Sequence, residues 1–471
     1  MTKTLESVKT RKEESFEHIN EPKLKFMEKL SYGFGDFGNG LMFDLGMIFL
    51  LKFYTDVLGI SSVYGGIIFL VAKLFDAFVD TGVGTYVDSR TKIGKLGKFK
   101  PFILYGTVPL AILTTVSFLS PDFSDTGKVI WAFATYLIFN VAYSFVNIPY
   151  GSLSASMTLN SDDRTQLSVF RNFGSQSALF VTGISLIPLV KHFDNPAIGY
   201  PVVVGALSAA GVIFHLLCVR GVKERHVIIR EKKEGEHGVG RKAFMNLVKN
   251  GPFAVLATYT LLTITAMFLK QSTQLYYFQY ILGKETLVGF VSLVNFIVLI
   301  PALFLTTQLS KKYGKKTTAL IGVAGFIVFE ILNFFLSGDN VTLFLTLNAL
   351  SSFFFVIPNT VTWAFIADVV EYGQWKSGVR TEGIIYSSYS FTRKVSQALA
   401  GFIPGIMLAV IGYQPNQQQT ESTLEGLRGI YFLLPAGLCL VALLLFLFLY
   451  KLTDKRHKQI VSELALRDEL H

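Results

Sequence analysis

The chain has 471 residues, of which 51% are hydrophobic and only 16% charged, with a mean hydropathy of +0.47. Phe alone occurs 43 times, more apolar surface than one water-soluble fold can bury, whereas a bilayer solvates it directly. The net charge of +10 is read as attraction to an anionic membrane surface and not to nucleic acid.

The chain opens with about thirty polar residues and no cleavable signal pattern, so the first apolar segment is expected to act as an uncleaved insertion signal. Apolar stretches of about 20 residues predict twelve spans. The first six cover approximately 32–54, 63–87, 101–120, 128–156, 167–190 and 199–219. The other six cover approximately 252–282, 287–309, 317–337, 341–370, 383–412 and 429–450. With both ends of the chain cytoplasmic, 33 of the 43 Lys and Arg residues fall in inside segments. The outside loops hold only Lys128, Lys191, Lys284 and Arg428. That is the positive-inside signature of a multi-pass cell-membrane protein.

The division expected is a tail at 1–30, a six-helix bundle at 31–220, a cytoplasmic middle loop at 221–250, a second bundle at 251–451 and a tail at 452–471. The halves echo one another. Asp163-Arg164-Thr165-Gln166 follows the fourth span as Val379-Arg380-Thr381-Glu382 follows the tenth, and basic turns follow the second and eighth spans. Two parallel six-helix halves are the arrangement of the major facilitator fold, with substrate held between the halves near mid-membrane. The fold class expected is therefore all-α and integral to the membrane. Cys218 and Cys439 both lie in apolar stretches, so neither a disulfide framework nor a zinc site is expected.

Ionisable side chains inside spans are costly unless paired or facing water, and each is a functional candidate by default. The second span places Lys73, Asp76 and Asp80 on one helix face. Two carboxylates one turn apart in low dielectric would share a proton or hold a cation, Na+ included, between them. The alternative is a structural Lys–Asp bridge with the second Asp at an interface. Lys394, mid-way along the eleventh span, is the natural counter-charge. Arg171 could pair with Asp76 or Asp80, or line the inner gate. Asp36 and Asp368 lie near span ends, where helix-end or interdomain pairing competes with transport, and Arg380 and Asp368 are assigned as gating or charge partners. Lys52 is expected to snorkel, Glu330 to partner an unassigned cation, and Lys270 has no assignment.

Sugar recognition needs planar hydrogen-bonding groups and aromatic faces. Tyr143 and Asn147 in the fourth span, Asn359 in the tenth, and Asn39 and Asp44 in the first supply them. Each intramembrane Asn has a competing reading as helix-packing glue. Arg393 beside Lys394 could meet a substrate carboxylate. No nucleophile–base pair or metal-ligand cluster supports an enzyme. Neither nucleic acid nor an obligate protein partner nor a cofactor beyond a coupling ion is called for.

From Lys29 to about Leu452 the chain resembles the glycoside–pentoside–hexuronide:cation symporters. The resemblance is carried by Lys29-Leu-Ser-Tyr-Gly-Phe-Gly, Phe53-Tyr-Thr-Asp56, Asp76-Ala-Phe-Val-Asp80, Gly97-Lys-Phe-Lys-Pro-Phe, Asn147-Ile-Pro-Tyr and Ala367-Asp-Val-Val-Glu-Tyr-Gly. It implies that the coupling cation lies near Asp76 and Asp80 with the Ser144 hydroxyl and Lys394, and that Lys73 and Arg171 match family arginines. The chain also departs from the family. Val79 replaces the asparagine associated with sodium use, Asn39-Gly40 a Lys-Asp pair that grips sugar, and Asn147 a sugar aspartate. Gly151 and Asn359 replace tryptophans. The expected activity is import of a glycoside or pentoside, a xyloside-type disaccharide or oligosaccharide by preference, with H+ favoured over Na+. A glucuronide is the alternative, and a lysolipid carrier on the same fold a more distant one.

Overall fold

A computed structural model of the protein describes residues 23–90, 93–158, 160–226, 250–378 and 382–469. Among them, twelve long helices occupy the twelve expected segments. These are α1 (Phe26–Phe53), α2 (Ser62–Ser89), α3 (Lys100–Val116), α4 (Asp125–Met157), α5 (Ser161–Val190) and α6 (Pro196–Gly221). The second set is α7 (Gly251–Tyr280), α8 (Leu287–Tyr313), α9 (Lys315–Leu336), α10 (Val341–Ser377), α11 (Glu382–Val410) and α12 (Glu421–Leu449). A further helix, α13 (Asp454–Glu469), follows. Among the described residues, nine of these helices are long and apolar enough to cross a membrane. α3 is apolar but has only 17 residues, and α11 carries Arg393 and Lys394 at its middle.

Helix ends follow local chemistry. Asn195, Asn250 and Asn340 each accept a backbone N–H from the first turn of α6, α7 and α10, and Thr420 does so for α12, filling otherwise orphaned donors. Pro196 and Pro252 stand in first turns, where no N–H is needed. Gly314, at φ 81°, breaks the chain between α8 and α9. α1 closes in a π turn at Tyr54–Leu58, which frees backbone groups near Asp56.

The described residues fall into two compact units. The first holds those up to Gly46, Phe78–Ser120 and Ala134 to 226, and the second Met47–Ala77, Pro121–Phe133 and everything from 250 on. In the first unit, α1 and α5 cross so closely that a Cβ on Gly174 would lie 2.2 Å from the Gly33 carbonyl oxygen. In the second, α2 and α11 meet through Gly66 and Gly405, where a Cβ on Gly405 would lie 2.4 Å from the Ser62 carbonyl oxygen. Small residues at such crossings let backbones approach, which is how helices associate where lipid supplies no hydrophobic drive.

Candidate transport site

α2 carries the two carboxylates expected to matter, one turn apart on the helix. Within the second unit, the Lys394 ammonium of α11 donates to Asp76 Oδ2 at 2.8 Å and to the Asp76 carbonyl at 3.1 Å. Asp76 is buried, and so is Lys73 one turn earlier. Within the first unit, Ser144 Oγ of α4 donates to Asp80 Oδ1 at 2.5 Å. Each carboxylate thus has its own partner, a cation for Asp76 and a hydroxyl for Asp80. The Lys394–Asp76 pair is a part-buried, charge-assisted hydrogen bond, about twice as strong as a neutral one.

The first unit gathers most of the candidate sugar residues. Asn39 Nδ2 donates to Asn147 Oδ1 at 3.4 Å, tying α1 to α4, and Asn39 Oδ1 has no partner among the described residues. The rings of Phe43 and Tyr143 stack with centroids 4.5 Å apart. Asp44 Oδ2 is buried without a partner among the described residues. A Cβ on Gly40 would meet Ala178 Cβ at 2.5 Å and Asp44 Oδ2 at 3.1 Å. Position 40 is therefore closed to a side chain, and the Asp44 carboxylate reaches back into the space beside it.

Arg171 does not pair with Asp76 or Asp80. Its Nε donates to Asp36 Oδ2 at 2.6 Å, and its guanidinium lies over the Tyr150 ring at 5.1 Å. The Tyr150 hydroxyl accepts from the Asp36 N–H and donates to the Tyr32 carbonyl at 2.7 Å. Asp36 answers the nearest available cation, and that cation comes from α5.

In the second unit, and among the described residues, Asn359 Nδ2 reaches only the Met267 sulfur, at 3.9 Å. Arg393 has no ion pair among the described residues, and its guanidinium stands 6.0 Å from the Trp363 ring centroid. Asp368 is held by Lys315 and by His457 of α13 at 3.4 Å. Arg380 lies outside the described residues.

Two further ion pairs differ from what was expected of their residues. Lys270 of α7 bonds Glu330 of α9, so the two unassigned lone charges answer one another. A count of unmatched charges in apolar spans, one Lys and one Glu, would have suggested it. Lys52 does not snorkel but bonds Asp56 at 2.5 Å, one turn on, and also Gln279 of α7. Tyr413, in the loop after α11, donates to Asp56 Oδ1 at 2.9 Å, and Asn416 Nδ2 to the Asp56 carbonyl at 2.7 Å. Burial, then the Asp56 carboxylate, push the Tyr413 phenol well above its usual pKa, so it remains a donor.

Residues 31–454 match the family described as MFS/sugar transport protein. The chain is 46% identical to the Bacillus subtilis protein "Uncharacterized symporter YjmB", over 94% of this chain and 96% of that one. It is 40% identical to the Escherichia coli "Putative sulfoquinovose importer", over 94% and 95%. To the E. coli "Glucuronide carrier protein homolog" it is 33% identical, over 94% and 96%. Among solved structures, the nucleoside transporter NupG superposes with a TM-score of 0.64 at 16% identity, covering 90% of this chain and 99% of that one. At that identity the likeness speaks for the fold alone.

Proposed function

The chain belongs to the MFS/sugar transport protein family and is a multi-pass membrane transporter, not an enzyme; on that premise we propose that it carries a sugar bearing an acidic group into the cell, together with a coupling cation. Arg393 carries this reading. An intramembrane guanidinium without an ion pair among the described residues is costly, and an anionic substrate group would supply the missing charge. Two relatives support it by name. Sulfoquinovose is a sulfonated sugar and a glucuronide a carboxylated one, and both offer the planar or tripodal oxygens a guanidinium binds well. The stacked Tyr143 and the amides of Asn39 and Asn147 would serve any sugar ring, so the neutral xyloside-type substrate is the competing reading. The charge bias of the loops supports cytoplasmic chain ends in the cell membrane.

The test is uptake by proteoliposomes from a panel holding a sulfonated sugar, a uronide and a neutral xyloside. Arg393→Gln should weaken apparent affinity for the acidic sugars by about ten- to a hundredfold, the range of one charged hydrogen bond. Affinity for a neutral sugar should be unchanged. Preference for the xyloside in the unaltered protein would overturn the acidic-substrate reading.

Asp44 is the proposed replacement for the sugar aspartate absent at Gly40, because its carboxylate fills the space beside that glycine. A buried acceptor with no donor is paid for by a ligand hydroxyl. Asp44→Asn should fold and lose about tenfold or more in sugar affinity. Equilibrium binding of labelled sugar to detergent-purified protein reads this directly, and unchanged affinity would return Asp44 to a packing role.

A further inference from the structure

The second unit contains a buried polar seam that none of the transport residues above uses. Glu330 of α9 is fully buried. The Lys270 ammonium of α7 and the Ser351 hydroxyl of α10 both donate to the same oxygen, Oε1. The other oxygen, Oε2, is buried and has no partner among the described residues. One turn further along α9 and one turn back along α10, Asn333 and Asn348 are also buried. The pairing of Glu330 with Ser351 sets the antiparallel register of the two helices. That register places Asn333 opposite Asn348 in the next layer. Asn333 Oδ1 and both polar atoms of Asn348 are without partners among the described residues.

Buried polar atoms left unmet destabilise a fold, and among the described residues this seam holds four, three acceptor oxygens and the Asn348 amide nitrogen. A proton on Glu330 Oε2 changes that balance. It turns an unmet acceptor into a donor, one layer from the Asn333 and Asn348 amide oxygens that lack one, while Oε1 keeps accepting from Lys270 and Ser351. The ammonium that loses its full counter-charge is still held by aromatic faces, with ring centroids of Tyr431, Phe432 and Phe326 at 5.0, 5.5 and 5.9 Å. The seam is thus furnished for both protonation states of Glu330.

We propose that Glu330 is a proton-binding site in the C-terminal helices, distinct from Asp76 and Asp80. The proton comes from solvent and returns to it, with no other bond made or broken. The other titratable or charged groups facing it are Lys270 and Tyr277 from α7 and Tyr431 and Cys439 from α12, with Arg428 at the start of α12 bonded to the Phe334 carbonyl. From α10 come only the neutral Ser351 and Asn348. The proposal rests on the reading of the chain as a cation-coupled transporter, but its first test does not.

That test is infrared difference spectroscopy of the purified full-length protein in lipid, titrated from neutral to acidic pH. A carboxylic-acid C=O band should appear that is lost in Glu330→Gln and kept in Asp76→Asn and Asp80→Asn. Glu330→Gln resembles the protonated state in shape and donor capacity and should fold. If it does not, Lys270→Met/Glu330→Gln, which removes both charges, takes its place. In proteoliposomes the same variant should exchange labelled for unlabelled sugar while its uptake loses one step of its pH dependence. A band unaffected by Glu330→Gln, with an unchanged pH profile, would make the pair a fixed structural bridge surrounded by buried water. Failure of the coupling reading itself would show elsewhere, as gradient-driven accumulation surviving loss of Asp76 and Asp80.

Discussion

Asp76→Asn and Asp80→Asn should each abolish accumulation of sugar against a gradient. With one unit of pH difference imposed and one cation moved per sugar, the unaltered protein can concentrate substrate about tenfold, since 1.4 kcal/mol is a factor of ten. Either variant should bring the ratio to one. The reason differs for the two. Asp76 neutralises Lys394 across 2.8 Å, and removing its charge leaves a half-buried ammonium that no longer responds to the arrival of a cation. Asp80 accepts from a hydroxyl at 2.5 Å, a bond that the amide of an asparagine can keep. Sugar exchange without net accumulation should therefore survive better in Asp80→Asn. Breaking a buried ion pair costs about 3–5 kcal/mol, so Asp76→Asn must be compared with an unfolding curve to separate loss of coupling from loss of fold. Counterflow by a folded Asp76→Asn would confirm that binding persists without coupling. If both variants still concentrate sugar, the carboxylates on α2 are structural.

The helices were legible because apolar runs of about 20 residues have one stable solution in a bilayer, and each expected span holds a helix. The ends were less so. Caps such as Asn250 and Asn340 start α7 and α10, while polar extensions such as Glu371–Ser377 continue α10 beyond its apolar part. The chemistry on a single helix could be read from spacing, which is why Lys73, Asp76 and Asp80 stood out. What joins helices, Lys394 and Asp76 apart, could not. Asp36 meets Arg171 through 135 positions of chain, and Asp56 meets Tyr413 through 357. No periodicity encodes those distances. The space beside Gly40 is another such case. Its filling by Asp44 depends on how close Ala178 of α5 comes to α1, and a sequence pattern shows only that a side chain is missing.

The coupling ion should be a proton. A sodium ion seeks several oxygen ligands, and beside the two aspartates the position from which a sodium-using member of the family supplies an amide is Val79. An apolar neighbour withdraws a ligand that a sodium ion needs and a proton does not. Lys394, bonded to Asp76, and Lys73 one turn before it are positive neighbours of that carboxylate. They repel a second cation, and they do so more strongly for a sodium ion, which would have to share the space, than for a proton that disappears into a hydroxyl. Ser144 is already committed to Asp80 Oδ1, and a sodium shell would have to draw on that hydroxyl. Proteoliposomes with an acidic exterior and no sodium should therefore take up substrate beyond equilibration, up to about tenfold for one pH unit. An equal sodium gradient at uniform pH should give none. Accumulation under the sodium gradient alone would reverse the assignment, and Ser144→Ala would then be expected to remove it, because that hydroxyl is the nearest oxygen able to stand in for the missing amide.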